Sequence, residues 1–108
     1  MEVDAEWPLT RCSLALVDEL ARLRPHGLGN PEPCFCARGV RVLWLRETRG
    51  NSCQIGLEEQ GVQVKGFAFR ISPLPVPGDY IDIVYTPVRD DWNGQENWRV
   101  RVRDLKVV

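Results

Sequence analysis

The sequence predicts a mostly β protein, a five-stranded Greek-key barrel of the OB type preceded by one N-terminal helix. From residue 35 onward, five runs rich in β-branched and aromatic residues follow one another, separated by short turn signals. Before them, residues 13–24 carry the spacing of an amphipathic helix. A length of 108 residues fits one domain. Five short strands with tight connections fit an OB barrel, and an SH3-like barrel is the nearest structural alternative.

The N-terminal segment is predicted to be a short extended lead-in followed by the helix. Trp7 precedes Pro8, and a residue before proline is disfavoured in the helical region. Ser13 can cap the first helical turn, and Pro25 ends the helix no later than Arg24. An apolar stripe at helical spacing lies between them. It consists of Leu16, Val17, Leu20 and Leu23.

A connector rich in proline and glycine separates the helix from the strands. Residues 25–33 contain three prolines and two glycines, a composition that excludes regular structure. Because proline fixes φ, this connector is stiff and differs from a flexible Gly/Ser linker. The chain therefore divides into residues 1–33, which are the lead-in strand, helix and connector, and residues 34–108, which are the barrel.

The predicted strands cover residues 35–46, 52–58, 62–70, 79–88 and 96–108. Gly66 is expected to mark a β-bulge, because the apolar residues on its two sides have opposite parity. In the fourth strand, Ile81, Ile83 and Tyr85 are expected to point inward. The segment 72–78 holds three prolines, so a loop is expected where many OB barrels carry a helix.

The composition excludes several classes of protein. The chain is 44% hydrophobic and 27% charged, and no apolar run is long enough for a membrane helix. The acidic start, residues 1–6, differs from the basic start of a signal peptide, so we expect a cytoplasmic protein with no membrane partner. The four cysteines lack the C-x₂₋₄-C spacing of structural zinc sites, so reduced thiols are expected instead of a metal site.

The last predicted strand is the clearest local indication of nucleic-acid binding. Three arginines alternate with apolar residues, which would put three guanidiniums in a row on one face, ~6–7 Å apart. Arginines so placed can contact successive phosphates of an extended strand. An edge strand protected from aggregation by charge explains the same alternation, and both interpretations remain open. The three residues are Arg99, Arg101 and Arg103.

Aromatic side chains could supply the stacking platforms that single-stranded nucleic acids need. Trp44 and Trp98 share the parity of buried valines and are expected in the core. Trp92 lies in a predicted loop, and Tyr80 has the parity of Asp82, so these two rings are expected to be exposed. The other candidates, expected mostly in the core, are Phe67 and Phe69.

Several segments resemble the RecJ-type single-stranded-DNA exonucleases. Residues 20–33 are similar to the family's segment "L-x-P-F-G-x-G-N-P-E-P", with His26 in place of the phenylalanine and an intact match over residues 27–33. Residues 80–85 and 91–94 resemble its run "V-D-V-V-Y … N-x-W-N-G". Shorter likenesses, to its "D-A-E" and its terminal "V-x-D-I", lie at residues 3–6 and 102–105.

This resemblance implies the C-terminal OB domain of a DHH phosphoesterase that degrades single-stranded DNA from its 5′ end with Mn²⁺ or Mg²⁺. Catalysis would belong to the parent core, because this chain has one histidine and no Asp-His-His run. We therefore expect a non-catalytic accessory domain of DNA repair and recombination without a cofactor of its own. Its expected partners are single-stranded DNA, the DHH core and a repair protein.

In an OB fold, nucleic acid usually lies across strands two and three, flanked by the 1-2 and 4-5 loops. This placement favours basic residues near the first turn and on the third strand, together with the loop tryptophan. A structural clamp or protein-interaction barrel without DNA contact is the alternative, favoured by the net charge of −1 and the stiff connector. The candidate nucleic-acid-binding residues are Arg46, Arg49, Lys65, Arg70, Tyr80, Trp92, Arg99, Arg101 and Arg103.

Overall fold

A short lead-in and one helix precede five long strands in the computed structural model, which describes residues 3–23, 32–71, 73–91 and 93–108. The elements are strand β1 (Ala5–Glu6), a 3-10 helix (Leu9–Arg11), helix α1 (Leu14–Leu23) and strands β2 (Phe35–Thr48), β3 (Ser52–Glu59), β4 (Val62–Phe69), β5 (Tyr80–Arg89) and β6 (Trp98–Val107). The five predicted strands are confirmed, with ends shifted by one or two residues. Most of the connector lies outside the described residues, so its stiffness stays a prediction.

The strands close into a barrel because β2 pairs with two neighbours. Its first half pairs with β5 and its second half with β3. The sheet order is β1-β2-β3-β4-β6-β5, and the β2–β5 pairing closes the ring. Strands β4 and β6 run parallel. This closed Greek-key arrangement confirms the OB-type fold. Between β4 and β5, residues 70–71 and 73–79 contain no helix, as expected.

Two irregularities bend β2 so that it can serve both halves of the barrel. The register with β5 shifts between Ala37 and Val40, where Gly39 has a φ of 66°. The register with β3 shifts between Val42 and Trp44. Bulges of this kind increase local twist and re-aim the side chains that follow.

The core consists of the inward side chains of the strands and of Leu9 from the lead-in, which covers one end of the barrel. Ile81, Ile83 and Tyr85 are fully buried, as predicted. Leu9 is also fully buried, and its backbone N–H donates to Oε1 of Glu59 at 2.9 Å. Burying an aliphatic side chain stabilises a fold by ~1.5–3 kcal/mol. The 3-10 helix therefore plugs one end of the barrel and contributes to its stability.

Helix α1 packs on the barrel through its apolar stripe. Oγ of Ser13 accepts a hydrogen bond from N of Leu16 at 3.2 Å, which confirms the predicted N-cap. Val17 is buried and Leu20 packs against the core cluster. The lead-in and helix thus pack on the barrel, while the domain boundary at residue 33 stays a prediction.

The predicted bulge at Gly66 is wrong. The β3–β4 register continues without a shift along the whole of β4. Gly66 instead allows β6 to approach: a Cβ there would lie 3.0 Å from Val100 and 3.2 Å from Ile55. Because the small residues of β4 face this crowded interior, Phe67 and Phe69 point to the outside.

Candidate nucleic-acid interface

The outward side chains of four adjacent strands form one continuous surface, which we call the basic–aromatic face. The register places Arg46 opposite Gln54, and Gln54 opposite Phe67. On the far side, Phe67 pairs with Arg101 of β6. Residues directly opposite each other in a sheet share a face. The basic–aromatic face consists of Trp44, Arg46, Gln54, Lys65, Phe67, Phe69, Arg99 and Arg101.

Trp44 belongs to this face although its parity predicts the core. The register shift after Val42 turns the indole outward, and Trp44 is 37% exposed. The ring lies over Gly56 of β3, where an added Cβ would come within 2.5 Å of the indole Cε2. A glycine is therefore needed for the indole to lie against the sheet. The core position expected for Trp44 is wrong because of the bulge.

Two arginines of β6 lie over the two phenylalanines of β4. The guanidinium carbon of Arg99 is 4.2 Å from the centre of the Phe67 ring, and that of Arg101 is 5.9 Å from the Phe69 ring. The two rings meet edge to face, with centres 5.6 Å apart. Cation–π contacts at such distances hold each guanidinium near the sheet. Phe69 remains 52% exposed, so the core expectation for these rings is wrong as well.

Among the described residues, two of the four cations of the face lie close to an acidic side chain, and the other two do not. Arg99 lies 3.6 Å from a carboxylate oxygen of Asp90, and Arg101 lies 3.9 Å from Glu32. Arg46 and Lys65, by contrast, have no ion-pair partner in the part of the chain that the structure describes. The positive potential of the face is therefore concentrated on β2 and β4.

The three arginines of β6 alternate with buried Val100 and Val102 as expected, but Arg103 differs from the other two in its partners. Its Nη2 donates to Oε2 of Glu32 at 2.5 Å, and its Nε donates to Oγ1 of Thr86 at 3.0 Å. The Thr86 hydroxyl in turn donates to the carbonyl of Pro33 at 2.8 Å. Arg103 thus ties the end of the connector to β5 and β6.

The remaining candidates lie at other places. Arg49 and Arg70 are near the β2–β3 turn, where N of Arg70 donates to the carbonyl of Asn51 at 2.7 Å. Arg70 also lines an open cleft of about 820 Å³ at this end of the barrel. Tyr80 is 54% exposed as expected, but it lies on β5, which is not adjacent to β3 or β4. Trp92 lies outside the described residues, and its exposure stays a prediction.

A groove of about 540 Å³ borders the face where the β5–β6 loop meets β3, β4 and β6. The loop is closed by N of Asp90, which donates to the carbonyl of Asn97 at 2.9 Å. An Asn-Gly pair is a strong turn signal, and Asn93 and Gly94 have the positive φ angles of such a turn. The groove is lined by Gln54, Gln63, Val64, Lys65, Asp90, Asn97, Trp98 and Arg99.

Arg89 connects this loop to helix α1. Its guanidinium contacts Asp18 of the helix at 2.6 Å, Asp91 at 2.7 Å and Glu96 at 3.0 Å. The hydrogen bond from Arg89 holds the pKa of Asp91 below its usual value. The helix therefore fixes one side of the loop that borders the groove.

The cysteines form no obvious chemical site. All four are unpaired, and burial raises the pKa of the Cys12 and Cys53 thiols. Among the described residues, no three His, Cys, Asp or Glu side chains are grouped to hold a metal ion. Within the same ranges, no helix has the length and apolar character needed to cross a bilayer.

The closed five-stranded barrel and its basic–aromatic outer face define an OB-type domain. The family model described as the RecJ OB domain matches residues 3–104. This chain belongs to the RecJ OB domain family, which confirms the resemblance found in the sequence. None of the curated protein sequences gives a significant match.

The solved structures that are similar to the chain include two metal complexes. Both are crystal structures of RecJ from Thermus thermophilus. The Mg²⁺ complex is 28% identical, with a TM-score of 0.63, and the match covers 86% of this chain and 14% of that one. The Mn²⁺ complex is 23% identical, with a TM-score of 0.65, and the match covers 98% of this chain and 16% of that one. At this identity the likeness shows the fold alone. The chain thus spans a small fraction of the length of those proteins.

Proposed function

We propose that this domain binds single-stranded DNA on behalf of a RecJ-type 5′–3′ exonuclease of DNA repair and recombination, and that it is not itself catalytic. The observation that carries the proposal is the basic–aromatic face. Exposed rings beside cations are the two ingredients of sequence-tolerant single-strand binding. The face also lies on the strands across which OB folds usually hold nucleic acid.

The face suggests a division of roles among its residues. Arg46 and Lys65, which have no ion-pair partner among the described residues, would contact phosphates. Trp44 and Phe69 would stack with bases, because both rings are partly exposed on the face. Arg99 covers the Phe67 ring and would offer its own planar guanidinium for stacking.

In the parent enzyme this domain would act as a second binding site. A strand held on the barrel raises the effective concentration of DNA at a linked catalytic core. The core, of the DHH type, would bind Mn²⁺ or Mg²⁺, and residues 1–33 would form the end of the preceding accessory domain. A cytoplasmic location and a repair-protein partner belong to the same proposal.

A structural clamp or protein-interaction barrel is the second candidate. The observation that favours it is the neutralisation of half of the face: Glu32 and Asp90 approach Arg101 and Arg99. The net charge of the chain is also only −1. In this alternative, the same surface would dock the catalytic core or a repair protein without touching DNA.

Fluorescence anisotropy with a labelled oligothymidine at low salt distinguishes the two candidates. We expect saturable binding that weakens as salt rises, because phosphate contacts release counterions. Phe69→Ala is expected to weaken binding about tenfold, within the usual range for one stacked base. Lys65→Ala is expected to weaken binding and to reduce its salt dependence.

Two matched variants control for general effects. Tyr80→Ala removes an equally exposed ring from β5, and Lys106→Ala removes an exposed cation from the far end of β6. Neither should change the affinity by more than about twofold, given the small effect of distant surface changes. Absence of binding at low salt, or equal losses in the controls, would reject the DNA-binding proposal in favour of the clamp.

A further inference from the structure

We propose that the groove beside the β5–β6 loop binds the Watson–Crick edge of one unpaired base of any identity. The domain would then recognise the absence of base pairing in addition to the backbone and the ring faces. The inference rests on the proposed function and extends it, because it assigns a site to a part of the ligand that the basic–aromatic face does not contact.

The size and position of the groove fit a base. Its volume of about 540 Å³ falls within the range of ~300–1,000 Å³ typical of small-ligand sites. It shares Gln54, Lys65 and Arg99 with the basic–aromatic face. A DNA strand whose phosphates lie along the basic–aromatic face can therefore turn one base into the groove while its phosphates stay on that face.

The groove places a strong acceptor beside a strong donor. The nearest oxygen of Asp90 is 3.6 Å from Nε of Arg99, which is longer than a hydrogen bond. This Nε is buried and has no hydrogen-bond partner, and the Asp90 carboxylate accepts no hydrogen bond, within the described residues. The Asp90 carboxylate and the terminal N–H groups of the Arg99 guanidinium, which donate to no described residue, therefore retain hydrogen-bonding capacity for a ligand.

Side-chain amides complete the lining. Oδ1 of Asn97 accepts from N of Trp98 at 2.8 Å, which leaves its amide N–H groups to donate elsewhere. The side chains of Gln54 and Gln63 make no hydrogen bond to any described residue. Each carboxamide offers a donor and an acceptor, and it can rotate to present either one. Trp98 adds an apolar wall to the same groove.

This chemistry favours a base over a phosphate. The Asp90 carboxylate would repel an anion, whereas a neutral base can donate to it. Every Watson–Crick edge carries at least one N–H donor next to one acceptor. The Asp90–Arg99 pair can bind that combination in all four bases, so the site is tolerant of sequence. A base engaged in a duplex has no free edge to offer.

Thymine methylated at N3 is the probe for this site. The methyl group removes the N–H donor of the Watson–Crick edge but leaves the phosphates and the faces of the ring. We expect an N3-methylthymine oligomer to bind roughly tenfold more weakly than oligothymidine, the loss typical of a missing hydrogen-bonded base contact. Asp90→Ala should abolish the difference between the two oligomers; because the lost negative charge beside Arg99 affects both oligomers alike, this comparison is independent of any general change in affinity.

Asp104→Ala is the matched control, since Asp104 is an exposed aspartate of β6 outside the groove. It should preserve the difference between the oligomers. Equal binding of the two oligomers by the unmodified domain, or a difference that survives Asp90→Ala, overturns the inference while leaving the DNA-binding proposal intact. If the unmodified domain does not bind oligothymidine at all, both the inference and the DNA-binding proposal are rejected.

Discussion

At the scale of single residues, the seal of the barrel depends on one buried hydroxyl. Oη of Tyr85 donates to the carbonyl of Trp7 at 2.6 Å, and Sγ of Cys12 lies 3.2 Å away. Burial is the main cause that raises the pKa of Tyr85 far above its usual value. The phenol is therefore protonated at neutral pH and donates this hydrogen bond.

Tyr85→Phe should destabilise the domain without touching the proposed DNA surface. Removing the hydroxyl leaves the Trp7 carbonyl without its partner, which costs about 1–3 kcal/mol in a buried site. Urea unfolding measures this loss, and Tyr80→Phe, at an exposed tyrosine, should leave the midpoint unchanged. An unchanged stability in Tyr85→Phe would mean that water replaces the missing partner.

Residue parity explains which parts of the site could be predicted. Alternation placed Ile81, Ile83 and Tyr85 correctly, because β5 keeps its period of two across this stretch. It failed for Trp44, where a bulge inverts the alternation, and nothing in the local sequence marks that bulge. For Phe69 the wrong step was the expectation that most aromatic rings lie in the core, because the unbroken alternation of β4 buries Gly66 and Ala68 and turns Phe69 outward.

At the scale of elements, an acidic residue of the connector neutralises arginines of β6. Glu32, at the end of the connector, contacts both Arg101 and Arg103. The first of these arginines belongs to the basic–aromatic face, whereas the second is a structural tie. A sequence alone shows three alternating arginines. Only the fold separates their roles, since Glu32 and Arg103 are 71 positions apart in the chain.

Glu32→Gln is therefore expected to strengthen binding of single-stranded DNA. The change removes the negative charge beside Arg101, so that this guanidinium can pair with a phosphate instead. We therefore expect the affinity for single-stranded DNA to rise about threefold at low salt, consistent with one partly screened charge contact. Anisotropy titration checks the gain in affinity. Asp104→Asn, on the same strand as Arg101, removes one negative charge as well and is the matched control. A gain of equal size in both variants would indicate a general charge effect.

The fold class follows from elements that are short and well separated. Strong turn signals at Gly50-Asn51, Gln60-Gly61 and Asn93-Gly94 all coincide with positive φ angles. These turns separate the strands that the sequence predicts, but the same strand count also fits an SH3-like barrel; the β2–β5 closure and the parallel pairing of β4 with β6 establish the OB type. The packing of the lead-in against the barrel could not be predicted, because it depends on contacts between residues far apart in the chain.

At the scale of the whole molecule, net charge is a poor guide to binding. The chain carries a formal charge of −1, yet four of its 14 basic side chains, Arg46, Lys65, Arg99 and Arg101, share one outer face of the barrel. If only Arg46 and Lys65 contact phosphates, the slope of log K against log salt should be about −1.4; if Arg99 and Arg101 also do, it should approach about −2.8.

Titrations at three salt concentrations measure this slope, and Arg46→Ala should make it shallower by about 0.7. Arg38→Ala removes an exposed arginine that pairs with Glu6, away from the face, and should leave the slope unchanged. A slope near zero in the unmodified domain would exclude phosphate contacts as the source of affinity.

The plug formed by the lead-in also constrains how the chain folds. The hydrogen bond from Tyr85 to Trp7 joins residues 78 positions apart, and that from Leu9 to Glu59 spans 50. Contacts between such distant residues form slowly, because a long loop must close before they are made. On the ribosome, the lead-in emerges before strand β5 and must therefore wait for that strand before it is buried. Until then, this end of the barrel stays open and its apolar interior is exposed to other proteins.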